Sequence, residues 1–365
     1  MSDSMSAGPT INRRRALFGT AAVASTAVLA ACAGPQQAGA PSSSAAPSGT
    51  AGGGAGLVDV HAHFVTDDYI AAARSVGHEK PDGMPAWPAW NIDKQLADMD
   101  RRAIRKAVLS ISSPGVHFGD DARAAELART VNDRATAEVR AHPTRLDHFA
   151  SLPLPDVDAA VVEARRALSA GAIGVIVMSN AGGQYLGDAA LEPLWAELAS
   201  RRAIVLVHPT SPPGWERTAL GRPRPMLEFM FDTTRSVVDL GFSGVLARHP
   251  ELRIVVPHSG ATLPILSERI GLFQKGIGVP AAEPWAKTLR KLWFDTAGTP
   301  FPTAIPALAS QAGTERIVYG SDSCWTPDAA IDAVLKAIDE AAPPTGARNW
   351  RELAAANAEQ LLRRD

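Results

Sequence analysis

Leu57-Val58-Asp59-Val60-His61-Ala62-His63 is the stretch that decides the fold. Its apolar, β-branched start and its polar end are typical of a short, largely buried β-strand. His61 and His63 lie two positions apart, so on a strand both side chains point the same way and can bind one ion. The folded part of the chain therefore begins with a strand that carries two candidate metal ligands at its carboxyl end.

Further runs of the same apolar, β-branched kind follow along the chain, and helix-like amphipathic segments separate them. After the first strand at 57–63, the predicted strands lie at 107–112, 147–154, 172–179, 203–208, 253–258, 291–295 and 316–321. The predicted helices lie at 92–102, 122–141, 157–170, 191–202, 226–248, 263–276, 303–312 and 328–340, and a further amphipathic segment follows at 349–362.

This alternation of strand and helix predicts an α/β fold, a (β/α)8 TIM barrel, because eight such units over about 300 residues are typical of that architecture. A doubly wound open sheet is the competing interpretation. It would need a glycine-rich phosphate loop after the first strand, where His61-Ala62-His63-Phe64 stands instead. The barrel is therefore the predicted fold.

Composition and charge narrow the class of protein. Hydrophobic residues make up 46% of the chain and charged residues 20%, a balance that suits a globular domain with a sizeable core. The 36 basic and 38 acidic residues are mixed, with no basic block after the N-terminal region, so nucleic-acid binding has no electrostatic support. The two cysteines, Cys32 and Cys324, exclude a disulfide framework.

The N-terminal region has the composition of an export signal rather than of a fold. Residues 1–32 combine Arg13-Arg14-Arg15 with an apolar run at 19–31, which predicts export by the twin-arginine route to a periplasmic or other extracytoplasmic location. Leu29-Ala30-Ala31-Cys32 resembles a lipobox, which would make Cys32 a lipid anchor in the membrane, although an ordinary signal with an incidental cysteine fits as well. Residues 33–56 are mainly Ala, Gly, Ser, Pro and Gln, as in a flexible linker, so the barrel domain is predicted at 57–365.

Three more candidate ligands stand at the ends of predicted strands: His208, His258 and Asp322. In barrels of this kind, chemistry gathers where the carboxyl ends of the strands converge. Several imidazoles and a carboxylate at one rim suit zinc, manganese or iron, and an open coordination position would make the site catalytic. A structural zinc site would instead use closely spaced ligands, usually cysteines.

These motifs together resemble the amidohydrolase superfamily, in particular the branch around aminocarboxymuconate-semialdehyde decarboxylase and, more closely, the 6-methylsalicylate decarboxylase type. The matching stretches cover nearly the whole domain: Val58-Asp59-Val60-His61-Ala62-His63-Phe64, Leu109-Ser110-Ile111-Ser112-Ser113-Pro114-Gly115, Ser151-Leu152-Pro153-Leu154-Pro155-Asp156, Tyr185-Leu186-Gly187-Asp188, His208-Pro209-Thr210, Phe231-Asp232-Thr233-Thr234-Arg235 and Gly320-Ser321-Asp322.

The resemblance implies roles for these residues. The metal ligands would be His61, His63, His208 and Asp322. His258 would face the metal without necessarily binding it, as a general acid or base or as a residue that orients a bound water. Two-metal members carry a lysine at the end of the fourth strand. Residues 175–180 contain none, so one divalent ion is expected, with zinc as the first choice and manganese as the alternative.

The implied activity is non-oxidative decarboxylation of a small aromatic carboxylic acid of the hydroxybenzoate kind. His258, Asp322 or a water at the metal would protonate the ring carbon that carries the carboxylate. Two alternatives remain open: a metal-dependent hydrolase of a lactone or amide on the same barrel, and a non-catalytic tethered binding protein. The muconate-semialdehyde enzymes carry an arginine in the loop after strand one and an aromatic residue where Thr210 stands. This chain has no arginine between Gly77 and Asp100, which favours a hydroxybenzoate-like substrate.

Further residues are candidates for substrate binding. Arg269 matches an arginine that in the related decarboxylases reaches into the neighbouring subunit's site, which would imply a homodimer; a surface salt bridge is the alternative. Arg235 would meet the substrate's carboxylate or pair with a nearby aspartate. Phe231, Trp325 and Trp215 lie near predicted strand ends and would sandwich an aromatic ring or pack in the core.

Overall fold

The structure, a computed structural model, describes residues 56–363. The predicted export signal with Cys32 and the predicted linker up to residue 55 lie outside the described residues, as do residues 364–365. Within 56–363, no helix combines the length and the hydrophobicity needed to cross a lipid bilayer.

Seven parallel strands form the main sheet in the order β1-β2-β3-β4-β7-β8-β9. Their bounds are β1 Leu57–His63, β2 Ile104–Ser110, β3 Leu146–Ser151, β4 Gly174–Met178, β7 Ile204–His208, β8 Arg253–Val256 and β9 Trp293–Phe294. A separate hairpin, β5 Asn180–Ala181 and β6 Gln184–Tyr185, follows β4 and was not predicted. The first strand has the predicted bounds, and the next six lie within three residues of their predicted starts.

The eighth predicted strand, at 316–321, is irregular and closes the sheet. Residues 317–323 form single parallel bridges to both sheet edges, with Phe294 of β9 on one side and with Asp59 and Ala62 of β1 on the other. The Val60 N–H donates to the carbonyl of Tyr319 at 3.0 Å. We call 317–323 the closing segment. It completes the predicted (β/α)8 TIM barrel, but as separate bridges rather than as a continuous ladder.

The helices lie between the strands on the outside of the barrel. Their bounds are α1 Asp67–Ser75, α2 Ile92–Arg101, α3 Asp121–Ala141, α4 Val157–Ala170, α5 Glu192–Ser200, α6 Trp215–Thr218, α7 Glu228–Phe242, α8 Val245–Arg248, α9 Leu263–Gly276, α10 Trp285–Leu289, α11 Ile305–Ala312, α12 Asp328–Glu340 and α13 Trp350–Leu362. The single helix predicted at 226–248 is two helices, because Gly244 between them takes the left-handed conformation with φ 81°. Helices α1, α6 and α10 were not predicted.

Alternate strand residues form two different cores. The side chains on one face of the strands pack against the helices. Val205 and Val207 of β7, for example, lie in one cluster with Trp195 of α5. The side chains on the opposite face form a separate cluster, which includes Ile204 and Leu206 of β7 and residues of the remaining strands. Among the described residues, α13 is the one helix that contributes side chains to this cluster, so the cluster is the interior of the barrel. Its polar continuation at the carboxyl ends of the strands is where the candidate site lies.

Candidate metal centre and active-site cavity

The candidate ligands lie on the continuation of the strand rows that face the barrel interior. In β7, Ile204 and Leu206 belong to the interior cluster, and His208 has the same alternation two residues further on. In the closing segment, Val318 belongs to the interior cluster, and Asp322 follows it by four residues. The same strands therefore supply apolar side chains in the middle of the barrel and ligands at its mouth.

A β-bulge in β1 brings the two remaining histidines to the same place. Val58 and Val60 lie in the interior cluster, whereas Ala62 packs in the helix-facing cluster. The register with β2 shifts between Asp59 and Ala62, and one extra residue reverses the alternation. His61 and His63 are thereby directed to the interior side, although an unbroken strand would have directed them towards the helices.

The four predicted ligands converge on one point. One potential ligand atom from each of His61, His63, His208 and Asp322 lies within 4.8 Å of all the others. The Nε2 atoms of His61 and His63 are 2.9 Å apart, and His63 Nε2 lies 3.2 Å from Asp322 Oδ1. The three imidazoles are at most 2% exposed. The structure thus brings the four residues together at one point, and their role as metal ligands stays a prediction.

Acceptors on the far side of each ring determine the tautomer of the three imidazoles. His61 Nδ1 lies 2.7 Å from the Asp295 carboxylate, and His208 Nδ1 lies 2.7 Å from the Pro209 carbonyl. His63 Nδ1 lies 3.0 Å from Ser110 Oγ and 3.3 Å from the Ser110 carbonyl. Because carboxylates and carbonyls only accept, each Nδ1 carries a proton, and each Nε2 presents a lone pair to the site whenever its ring is neutral.

This donor set fits a cation. The Nε2 atoms of His61 and His63 are 2.9 Å apart, a separation that requires either a proton or a cation between them. The carboxylate of Asp322 and the buried carboxylate of Asp295 add negative charge around the same point. Three imidazoles and one carboxylate are a ligand set that divalent transition metals accept, and fixed outer partners are usual for metal-binding histidines. The residues present therefore fit the predicted divalent ion.

The pKa values reflect this environment. Burial, followed by the nearby histidines, holds the pKa of His208 well below its ordinary value, and burial likewise lowers the pKa of His63. Burial also lowers the pKa of His61, but the charge and hydrogen bond of Asp295 outweigh it and raise that pKa to about 9. Burial would raise the pKa of Asp322, yet its contacts with His258 and His63 hold it well below its ordinary value. The carboxylates thus strongly favour positive charge at this point.

His258 stands beside the ligands. It follows β8, has a φ of 54°, and its backbone N–H donates to Asp295 Oδ1 at 2.9 Å. Its Nε2 lies 3.5 Å from Asp322 Oδ2, and its Nδ1 has no hydrogen-bond partner in the described part of the chain. His258 therefore faces the metal centre, as expected, with an Nδ1 that is not engaged by the protein.

A cavity of about 590 Å³ opens above this centre. His208, His258 and Asp322 lie in its wall. Much of the remaining wall is apolar: Met84, Pro225, Met226, Phe229, Met230, Ala261, Ala297, Ala304, Trp325 and Pro327. Among residues 56–363, no lysine or arginine lines it. A negatively charged substrate in this cavity would therefore find its counter-charge at the metal centre.

The predicted substrate-binding residues are only partly brought to this cavity. Trp325 lines it, as expected. Phe231 is 48% exposed on α7 and does not line it. Arg235 also lies outside, where its guanidinium donates to Asp232 at 2.9 Å, the pairing that was the alternative to substrate binding. Arg269 is exposed on α9, with its guanidinium 4.8 Å from the ring centre of Phe273.

Three residues of the site were not found from the sequence. Asp295 ends the predicted strand at 291–295 with the same alternation as Trp293 of the interior cluster, so strand-end position was a usable signal. Ser110 ends β2 in the same way. Phe229 is buried in the cavity wall, two residues before Phe231; because two residues on a helix differ by about 200°, one faces the cavity and the other solvent.

Comparisons with known proteins agree with the predicted barrel and with the family resemblance. The family model described as amidohydrolase matches residues 58–364. The 6-methylsalicylic acid decarboxylase of Penicillium expansum is 32% identical over 290 residues, which make up 76% of this chain and 87% of that protein. A solved structure described as amidohydrolase II has a TM-score of 0.77 and 32% identity, and the match covers 84% of this chain and 99% of that one.

A second solved structure shares the fold at lower identity. It is the dihydroxybenzoic acid decarboxylase from Polaromonas sp. JS666 with bound manganese and the inhibitor 2-nitroresorcinol. Its TM-score is 0.71 at 22% identity, and the match covers 84% of this chain and 96% of that one. The barrel is therefore shared with proteins of known structure.

The contact between Asp295 and His61 leads to a test of the metal centre. We expect Asp295→Asn to weaken the affinity for a divalent metal by about 10- to 100-fold, because the amide can present a donor to His61 Nδ1–H and disturb the tautomer. Affinity is measured by competition with a chromogenic chelator, and circular dichroism checks the fold. Ser110→Ala is the matched control. Its metal affinity should fall less, because the Ser110 carbonyl still accepts a hydrogen bond from His63. An unchanged affinity in Asp295→Asn would contradict this role.

Proposed function

The chain belongs to the amidohydrolase family, and from this premise we propose that it is a metal-dependent decarboxylase that removes carbon dioxide from a small aromatic carboxylic acid without oxidation. The observation that carries the proposal is the set of converging Nε2 lone pairs of His61, His63 and His208 beneath an apolar cavity whose described wall has no lysine or arginine. The similarity to 6-methylsalicylic acid decarboxylase supports a hydroxybenzoate-like substrate.

The metal would be held by His61, His63, His208 and Asp322. When bound, a divalent ion supplies Lewis acidity and positive charge for the substrate's carboxylate and a neighbouring ring oxygen. The donor set suits zinc, the choice made from the sequence, and it also suits manganese, which the Polaromonas decarboxylase binds. Metal analysis of the purified protein decides between these two ions.

The remaining residues place the ring and move the proton. Phe229, Met230 and Trp325 line the cavity and would pack against the ring, which keeps water away from it. His258 would donate a proton to the ring carbon that carries the carboxylate; the bond to the carboxylate then breaks and carbon dioxide leaves. Because Asp322 Oδ2 lies 3.5 Å from His258 Nε2, the Asp322 carboxylate would orient the His258 ring and stabilise its protonated form. The lowered pKa of Asp322 makes it a poorer candidate for the proton donor, the other role that the sequence predicts for it.

The activity is tested on 2-hydroxy-6-methylbenzoate with metal-loaded protein. We expect one equivalent of divalent metal, release of carbon dioxide and formation of 3-methylphenol, and loss of turnover when a chelator removes the metal. His208→Ala should lose the metal and, like the chelator-treated protein, lose turnover, because a buried ligand is removed. His249→Ala is the matched control, since His249 pairs with Glu192 away from the cavity.

Two other outcomes would overturn the proposal in different ways. Release of a carboxylic acid from lactones or amides, without carbon dioxide from aromatic acids, would make the protein a hydrolase. Metal content below about half an equivalent together with no turnover of any acid would favour a non-catalytic binding protein.

We further propose that the chain forms a homodimer through the outer face of α9. Ile265, Leu272 and Ile277 are 72%, 65% and 71% exposed. At helical spacing Ile265, Arg269 and Leu272 form one stripe on α9, and Ile277 directly follows the end of that helix. Exposed apolar surfaces of this kind mark protein–protein contacts. The resemblance that places Arg269 near a neighbouring subunit is consistent with this surface.

We expect the unmodified protein to be dimeric in analytical ultracentrifugation and Leu272→Asp to be monomeric, because the substitution puts a charge into an apolar interface. Val162→Asp on α4 is the matched control, since Val162 is 64% exposed but outside the stripe. It should leave the dimer intact. A monomeric unmodified protein would remove the homodimer from the proposal.

We also propose export by the twin-arginine route and anchoring through a lipid on Cys32. The support is the sequence of residues 1–32, with Arg13-Arg14-Arg15 before the apolar run and Cys32 at its end. In an expressing bacterium, we expect labelled palmitate to enter the protein and Cys32→Ala to abolish the label while export continues. Labelling that persists in Cys32→Ala would exclude this anchor, and retention of the full-length chain in the cytoplasm would exclude export.

A further inference from the structure

Asp82 is a buried carboxylate in the wall of the active-site cavity, and the metal centre does not use it. It is 7% exposed and lies in the short 3-10 turn Pro81–Gly83. It lines both the active-site cavity and a neighbouring cavity of about 580 Å³. Its backbone is left-handed, with φ 52° and ψ 21°, a conformation that aspartate and asparagine tolerate better than most residues.

The protein partly satisfies this carboxylate. Ser211 Oγ donates to Asp82 Oδ1 at 2.5 Å and accepts from Arg224 Nε at 3.0 Å. Arg224 stacks on Trp215 at 4.0 Å, and its positive charge interacts with Asp82 without a direct hydrogen bond between them in the described residues. Among residues 56–363, Ser211 is the one side chain that donates to this carboxylate. A buried carboxylate normally has several donors, so Asp82 can accept another hydrogen bond from a molecule in the cavity.

Apart from Asp322, Asp82 is the one acidic side chain in the described wall of this cavity. Asp322 belongs to the metal centre, where the carboxylate of a substrate would bind under the function proposed above. Other positions of the substrate's ring would then face the rest of the wall. A hydroxyl on the ring edge near Asp82 would gain a charge-assisted hydrogen bond there, whereas a second carboxylate would meet a like charge.

We propose that Asp82 is a specificity-determining residue: it selects aromatic acids with an additional ring hydroxyl and rejects those with a second carboxylate. The inference rests on the proposed function, because it takes the ring to be held by its first carboxylate at the metal centre. The competing explanation is that Asp82 only holds the turn Pro81–Gly83 to Ser211. These two explanations predict different effects of removing the charge while keeping the shape.

Asp82→Asn makes that change. Asparagine tolerates the left-handed backbone and still offers an oxygen to Ser211, so the turn should be kept. Asp68→Asn, on the exposed start of α1, is the matched control. The substrates are salicylate, its four dihydroxy relatives (2,3-, 2,4-, 2,5- and 2,6-dihydroxybenzoate), and salicylates with a second carboxylate at ring position 4 or 5.

We expect Asp82→Asn to shift specificity in opposite directions. Relative to salicylate, kcat/KM for at least one dihydroxybenzoate should fall about tenfold, because a hydrogen bond to a charged acceptor becomes one to a neutral acceptor. The kcat/KM for at least one dicarboxylate, again relative to salicylate, should rise by a similar factor. A uniform loss on all acids, or no change on any of them, would overturn the proposal, since holding the turn cannot raise one substrate while lowering another.

A binding measurement separates failure of this inference from failure of the proposed function. Catechol, resorcinol, hydroquinone and phenol are titrated into the metal-loaded protein by calorimetry, a readout that needs no decarboxylation. If the unmodified protein decarboxylates no acid, the proposed function fails. Tighter binding of a dihydric phenol than of phenol, lost in Asp82→Asn and kept in Asp68→Asn, would still support the role of Asp82. Equal binding of all four phenols to the unmodified protein and to Asp82→Asn would refute it.

Discussion

The structure depends on the approach of imidazole lone pairs at the mouth of the barrel. His61 and His63 come from the first strand, His208 from a strand on the other side of the sheet, and Asp322 from the segment that closes it. These atoms meet only when the barrel is closed, because β1 and the closing segment are sheet edges until then. A cation at that point would be attracted by the carboxylates of Asp295 and Asp322 and would link the first part of the fold to the last.

The contacts that close the barrel also hold the candidate metal ligands in place. Gly320 has no side chain where a Cβ atom would lie 2.8 Å from His61 and 3.0 Å from Asp295, so the closing segment can pass close to the ligands. Asp295 accepts from the His61 ring and from the backbone N–H groups of His258 and Ala297. One buried carboxylate therefore orients a ligand and positions the candidate proton donor, which makes the geometry of the site a property of the barrel rather than of a loop.

The cavity determines which chemistry this centre favours. A metal centre of three imidazoles and one carboxylate can serve hydrolysis or decarboxylation, so the ligands alone do not distinguish them. The cavity wall favours decarboxylation of an aromatic acid, because Phe229, Met230 and Trp325 suit a flat ring. The described wall has no cationic side chain, so the carboxylate of such an acid would bind at the metal centre. Loss of carbon dioxide from an aromatic acid needs a fixed carboxylate, a dry ring and one proton donor. The candidate metal centre, the apolar cavity and His258 would provide these three together under the proposed function.

The sequence by itself determined the order of the barrel strands and of most helices between them, the barrel, and the positions of the candidate ligands at strand ends. It could do so because apolar periodicity and the residue that ends a strand are local properties of the chain. Only the tertiary structure decided which way those residues face. The bulge between Asp59 and Ala62 turns the two histidines inward, and the rotation of α7 puts Phe229 in the cavity while Phe231 and Arg235 stay outside. Register shifts and helix rotations follow from packing between segments that are distant in sequence, and no local pattern records that packing.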